Sequence, residues 1–246
     1  MGSKDMRSVF LTAELRHLVM ISYEAEPEIL APFVPKGTEL DDWNGRTLLS
    51  LVAFSFAGIR LKGVPIPFYR NFAEINLRLY VRGKAPEGWR RGVVFVREVV
   101  PRRAIAFVAR WLYNENFVTC PTRARLDHDP DSGCYSALYS WRHREEWLAV
   151  GAEYAGDPTN PETGSAEEFI VEHYWGYATR RDSRTVAYRI AHPAWKVWSA
   201  THSTTEGDFA GFYGDQFAAV FARPPSSVFV AEGSPVVVHS AAALGR

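Results

Sequence analysis

The chain has 246 residues, 47% hydrophobic and 23% charged, the balance of an ordinary globular protein able to bury a sizeable core without disulfide or metal. Lysine plus arginine and aspartate plus glutamate are equal at 28 each, which leaves nothing to mark a nucleic-acid or anionic-membrane surface. No apolar run approaches the ~18 residues of a membrane span.

Residues 1–8 are expected to form a flexible start. They lack the Ser/Thr at position six that myristoylation prefers. Residues 18–23, Leu-Val-Met-Ile-Ser-Tyr, are a short apolar run and predict a buried strand. A short helix follows over 27–33, with Pro27 in its first turn and Glu26 and Glu28 favouring its N-terminus; Pro35-Lys36-Gly37 ends it. Residues 48–56 are β-rich, and 58–69, with Pro65 and Pro67, predict a loop. The cleanest alternation runs over 72–81. Ala73, Ile75, Leu77, Leu79 and Val81 share one side, and Phe72, Glu74, Asn76, Arg78 and Tyr80 the other.

Residues 92–100 predict another strand, and Pro101 opens an amphipathic helix with Ile105, Val108, Ala109 and Leu112 on one face. Residues 122–127 and 134–142 predict a hairpin across 129–133, with 147–154 as its next neighbour. Ser165 to Glu168 has capping-box spacing and starts a helix through about His173. Strands are expected at 185–191 and 196–202, short helices at 209–213 and 215–221, and a last strand over 227–239 broken at 233–235. Many strands with few helices predict an α+β, mainly β fold in a single domain, 1–246. Cys120 and Cys134 occur with no signal peptide, so reduced thiols and a cytoplasmic address are expected.

Several chemistries lose weight. Asp127, Asp129 and Asp131 have calcium-loop spacing, but Ser132 stands at the required glycine and Leu138 at the bidentate glutamate; a polar hairpin turn accounts for them. The seven histidines form no His-Glu-x-x-His motif, and neither a phosphate loop nor a Gly-x-Ser-x-Gly elbow occurs. No metal and no cofactor are expected.

What remains is the polar face Glu74, Asn76 and Arg78, bracketed by Phe72 and Tyr80. One account is a strand with its polar side in water. The other is a barrel strand whose apolar stripe packs outward while its polar side lines the lumen. A carboxylate inside a lumen needs a partner, for which Arg16, just before the first buried strand, is a candidate. His173, Tyr174 and Trp175 follow the capped helix, where they either close a pocket mouth or join the core. Trp195 and Trp198 lie three apart in an extended segment, so at most one can reach a lumen. His192, before Pro193, is expected to be a turn residue.

Residues 14–23 followed by Leu30-Ala31-Pro32-Phe33-Val34-Pro35 resemble the opening of the acetoacetate decarboxylase family. Phe72-Ala73-Glu74 resembles the strand that carries that family's catalytic-site glutamate. Residues 101–110 resemble its Pro-Ala-Ile-Ala helix entry and conserved arginine, which falls on Arg110. Cys120-Pro121-Thr122-Arg123 falls where the family has Tyr-Pro-Lys-Lys. Gly63-Val64-Pro65-Ile66-Pro67-Phe68, residues 172–177 and His192-Pro193-Ala194-Trp195 are similar to the YqjF-like domain-of-unknown-function branch of the same superfamily. The resemblance implies a closed or nearly closed antiparallel β-barrel with a few short peripheral helices, in a superfamily that assembles into oligomers.

The resemblance also places Thr122 at the Schiff-base position and Arg123 at the neighbouring cation. Threonine forms no imine, arginine stays protonated, and no lysine lies between Lys84 and Lys196. Acetoacetate decarboxylation by the lysine route is therefore not expected. The expected function is a polar pocket for a small oxo- or carboxylate-bearing molecule. Glu74 would act as acid or base with Arg16 beside it, and Arg110, Thr122, Arg123, Asn76, Arg78, Tyr174 and Trp175 would contact the ligand. An enzyme built this way would be a lyase, isomerase or hydrolase. The competing expectations are a non-catalytic small-molecule binding protein and a structural or oligomerisation unit with a vestigial cavity. Neither nucleic acid nor membrane is an expected partner; a small-molecule ligand is, and a homo-oligomer is left open.

Overall fold

The computed structural model describes residues 8–65, 71–101 and 116–244. The first half supplies β1 (Val9–Glu24), β2 (Thr38–Leu40), β3 (Leu48–Leu61), β4 (Val64–Pro65), β5 (Phe72–Ala85), β6 (Gly88–Val100) and β7 (Phe117–Thr119). Next come β8 (Thr122–Asp129), β9 (Cys134–His143) and β10 (Glu146–Ala155). The last third adds β11 (Trp175–Thr179), β12 (Thr185–Ala191), β13 (Val197–Ser199), β14 (His202–Glu206), β15 (Ser227–Ala231), β16 (Pro235–His239) and β17 (Ala242–Ala243).

Seven of these strands close a barrel in the order β1, β16, β12, β11, β6, β5, β3 and back to β1. The mainly β barrel expected from the sequence is what forms, with one seam that departs from antiparallel pairing. β6 and β11 run parallel, with Trp175 opposite Gly92 and Gly176 opposite Val93. A parallel neighbour requires a crossover, and the long excursion between β6 and β11 supplies it. The seam needs glycine: a Cβ on Gly92 would lie 2.5 Å from the Trp175 carbonyl oxygen.

That excursion carries β8, β9 and β10 of a second sheet, ordered β14-β10-β9-β8, which β14 joins from later in the chain. The hairpin between β8 and β9 turns on Asp129, whose carboxylate accepts from the Asp131 amide at 3.0 Å and the Ser132 hydroxyl at 2.6 Å. The acidic cluster is therefore a polar turn.

The two faces of β5 separate two cores. Ala73, Ile75, Leu77, Leu79 and Val81 join an outer cluster with Tyr139, Trp141 and Val150 of the second sheet, and with Phe212 and Phe217 from the short helical segments Phe209–Tyr213 and Asp215–Phe217. Tyr80 joins an inner cluster with Leu15, Leu18, Phe54, Val93 and Val238. The apolar stripe thus packs outward, and the polar face lines the lumen.

Capping sets the helix Ala166–Val171: the Ser165 hydroxyl accepts from the Glu168 amide at 3.1 Å. The Glu168 carboxylate accepts from the Gly164 amide, one residue before the cap. Phe169, Ile170 and Val171 pack into the inner cluster.

β1 is longer than the predicted 18–23 and serves two partners. Its first half pairs with β16 and its second with β15, the break between them falling at 232–234, one residue before the expected 233–235. Opposite that break, His17 has φ +52°. A Cβ on Gly233, itself at φ +82°, would lie 2.1 Å from the Leu15 carbonyl oxygen, so only glycine fits there.

The expected helix opened by Pro101, with Arg110 on it, lies outside the described residues, as do residues 1–7 and 66–70 of the expected start and loop. Ser8 bonds Ser240 through both backbone and side chain. Cys120 is buried and Cys134 exposed, both free thiols. No helix among the described residues is long and apolar enough to cross a membrane.

Candidate functional site

A cavity of about 90 Å³ sits in the barrel lumen. It is smaller than an engineered cavity of about 150 Å³ that admits benzene, so it suits a molecule of at most about six non-hydrogen atoms. Its walls are apolar, with Leu15, Leu18, Phe54, Val93, Phe95 and Val238 among them. Into this setting β5 projects Glu74, Asn76 and Arg78, and β6 projects Glu98 from the position directly across from Asn76.

Glu74 and Asn76 are buried, and the Asn76 amide donates to Glu74 Oε1 at 3.2 Å. Removal from water pushes the Glu74 carboxyl up to about 7, opposed only weakly by that hydrogen bond. Arg78 is half-buried. Its guanidinium lies 5.5 Å from the centroid of the Tyr80 ring, and one terminal nitrogen sits 3.9 Å from the Met20 sulfur. Tyr188 is buried on the same wall, and burial with the charges of Glu98 and Glu74 raises its phenol well above the ordinary value.

His173, just beyond the capped helix, closes another side. Its Nε2 lies 3.1 Å from Asp41 Oδ2, which also accepts from Arg91 Nε at 2.7 Å. Despite burial, hydrogen bonds from His173 and Arg91 hold the Asp41 carboxyl below its usual range. Burial lowers the His173 imidazole to about 4, with the Asp41 hydrogen bond opposing. The ring is therefore neutral near pH 7, Nε2 carries the proton donated to Asp41, and Nδ1 is a bare acceptor.

Five buried side-chain polar atoms lack a hydrogen-bond partner among the described residues, and three belong to this one cavity: Asn76 Oδ1, Arg78 Nε and His173 Nδ1. Such atoms normally find protein or water partners, and here three of them face one cavity.

The structure sorts the expected site residues. Glu74, Asn76 and Arg78 come together in the cavity. Arg16 does not: its side chain is 56% exposed and pairs with Glu14 at 2.6 Å on the outside. The physical reason is the left-handed residue His17, which shifts the alternation of β1, so that Leu11, Ala13 and Leu15 point inward before it and Leu18 and Met20 after it.

Thr122 and Arg123 lie on β8 of the outer sheet and do not line the cavity; the Arg123 guanidinium stacks 4.1 Å from the Trp147 ring centroid. Tyr174 and Trp175 line a separate outer groove, where Arg90 lies 4.3 Å above the Trp175 ring. Arg110 lies outside the described residues.

Of the two tryptophans, Trp195 lines the cavity and Trp198 packs on the outer cluster, as their spacing requires. His192 also lines the cavity, stacked on Trp195 with centroids 4.0 Å apart, which its reading as a turn residue alone missed. Glu98 and Tyr188 were missed as well, while His173, expected either at a pocket mouth or in the core, lines the cavity. Glu98 had a visible signal, a carboxylate inside the apolar run 93–100. Among the described residues, no group of three or more His, Cys, Asp or Glu is placed to hold a metal ion.

Against known proteins, the model of the family DUF2071, described as an uncharacterized conserved protein, matches residues 12–235. The uncharacterized protein YqjF of Bacillus subtilis (strain 168) is 26% identical over 181 residues, covering 72% of this chain and 71% of YqjF. Among solved structures, acetoacetate decarboxylase from Legionella pneumophila superposes with a TM-score of 0.66 at 10% identity, covering 100% of this chain and 91% of that one. The enduracididine biosynthesis enzyme MppR complexed with pyruvate gives 0.65 at 14% identity, covering 99% and 94%. These likenesses show an acetoacetate decarboxylase-like fold.

Proposed function

The chain belongs to the DUF2071 family, and on that premise we propose that its lumen binds a small oxo- or carboxylate-bearing molecule, with Glu74 as the proton-transferring group. The observation that carries this reading is the coincidence in one apolar-walled cavity of three unpartnered polar atoms and a carboxyl titrating near neutrality. A general acid or base works best with a pKa near the operating pH, and Glu74 has it. Arg78 supplies the cation for a ligand carboxylate. The fold likeness to a protein that binds pyruvate agrees with the size of the cavity.

Imine chemistry is not part of the proposal. No lysine lines the cavity among the described residues, and Lys36, Lys62, Lys84 and Lys196 are all exposed. The reaction class that fits is proton transfer next to a carbonyl or carboxylate, as in a lyase or isomerase.

The test is native mass spectrometry of the purified protein, followed by thermal melting and turnover assays with a panel of two- to five-carbon oxo and carboxylic acids. We expect at least one acid to raise the melting temperature, and its turnover to disappear in Glu74→Gln with binding retained. Binding without turnover in the native chain would favour a non-catalytic binding protein. A panel that shifts nothing, with no co-purifying molecule, would sink the reading.

A further inference from the structure

We propose that the lumen selects a small hydroxy acid over the corresponding oxo acid, because its unmet hydrogen-bonding groups are mostly acceptors. This rests on the reading of the lumen as a binding site and refines the class of molecule it takes.

The argument is one of proton placement. Asp41 holds two donors, Arg91 Nε at 2.7 Å and His173 Nε2 at 3.1 Å, and an ionised carboxylate only accepts. The imidazole proton is thereby fixed on Nε2, and Nδ1, buried and without a partner among the described residues, offers a lone pair. Asn76 is oriented in the same manner. Its Nδ2 donates to Glu74 Oε1, so Oδ1 is left as a second bare acceptor. Among these three unpartnered atoms the one donor is Arg78 Nε, and above about pH 7 the ionised Glu74 carboxyl adds no other.

A ligand that satisfies this set brings an acceptor for Arg78 and at least one donor for the His173–Asn76 side. The anion of a 2-oxo acid has only acceptors: it answers Arg78 and leaves both bare acceptors desolvated. Reducing the ketone to an alcohol adds an O–H without adding a heavy atom, so the same volume of about 90 Å³ serves. A site with buried acceptors discriminates strongly against a ligand lacking the matching donor. Asp41 in this scheme is a positioning residue, acting through the tautomer of His173.

Titration calorimetry of the full chain with lactate, pyruvate and propionate tests the inference. Lactate is expected to bind about tenfold tighter than pyruvate, the effect of one donor meeting one buried acceptor. His173→Phe should bring lactate to within about twofold of pyruvate and leave propionate unchanged. If His173→Phe does not fold, Asp41→Asn, which releases the tautomer, should show the same loss of preference.

Pyruvate binding as tightly as lactate, or more tightly, overturns the selection and leaves the pocket reading standing. A lactate preference that survives both substitutions overturns the role of His173. If none of the three acids binds, the inference fails; the pocket reading fails with it only if the wider acid panel also shifts nothing.

Discussion

Glu74→Gln gives the sharpest test of the site because its consequence is thermodynamic and needs no ligand. The folded carboxyl titrates at about 7 against an ordinary 4.5, so between those values the folded state holds a proton that the unfolded state has released. Stability from this group is therefore fully present below about pH 4.5 and is lost as pH rises through 7. At about 1.4 kcal/mol for each pKa unit, the loss amounts to about 3 kcal/mol by pH 8. Glutamine keeps the shape and the acceptor for the Asn76 amide but does not ionise. Urea unfolding of both proteins at pH 5 and pH 8 should show the native chain losing roughly 2–3 kcal/mol relative to the variant across that interval, part of the loss having already occurred by pH 5. Taking the difference between the two proteins cancels the titrating groups that do not interact with Glu74. Parallel pH dependences would mean that Glu74 is solvated, and the argument from burial would fail.

The acid limb should belong to His173, whose imidazole is lowered to about 4 by burial: its contribution is complete above pH 6.5 and is lost as pH falls to 4. His173→Gln should therefore flatten the acid limb by up to about 3 kcal/mol, read from the same unfolding series. Gly176→Ala places a Cβ 2.1 Å from Tyr188 Cζ in the lumen wall, and should cost about 1–3 kcal/mol in thermal or urea unfolding. A neutral result there would mean that the Tyr188 ring swings freely. Borohydride reduction in the presence of a keto acid should leave the protein mass unchanged. A stable adduct mapped to any lysine would restore an imine mechanism.

How much was legible in the sequence follows from which signals are local. The strict alternation at 72–81 carried the orientation of β5, and with it the inward placement of Glu74, Asn76 and Arg78, because a period of two admits only two phases. Arg16 was assigned to the lumen because the break in phase at His17 is not written in local propensity. It is set by tertiary partners: Tyr139 donates to the His17 carbonyl at 2.9 Å, Tyr154 lies 3.0 Å from its Nδ1, and Gly233 lets the neighbouring strand approach.

Thr122 and Arg123 followed a family resemblance, while the chain routes them into the outer sheet by pairing β8 with β9. Tyr174 was favoured over His173 because no periodicity survives past the helix end at Val171. The choice between adjacent residues is made by Asp41, far away in sequence.

The same contacts explain why the lumen is not simply filled with hydrocarbon. A barrel this size can close on apolar side chains alone, and an unmet buried polar atom costs about 1–3 kcal/mol. Asn76, Arg78 and His173 each leave one such atom without a protein partner among the described residues, and Glu74 adds a cost of its own as pH rises. Asp41 and Arg91 hold His173 in this arrangement from outside the cavity, when a released ring could turn Nδ1 toward a partner. A network that served structure alone would pair its members with one another, as the Arg91–Asp41–His173 chain does on its far side. Three atoms without protein partners on one apolar cavity, beside a carboxyl raised toward neutrality, are what the proposal of a binding site in the lumen rests on.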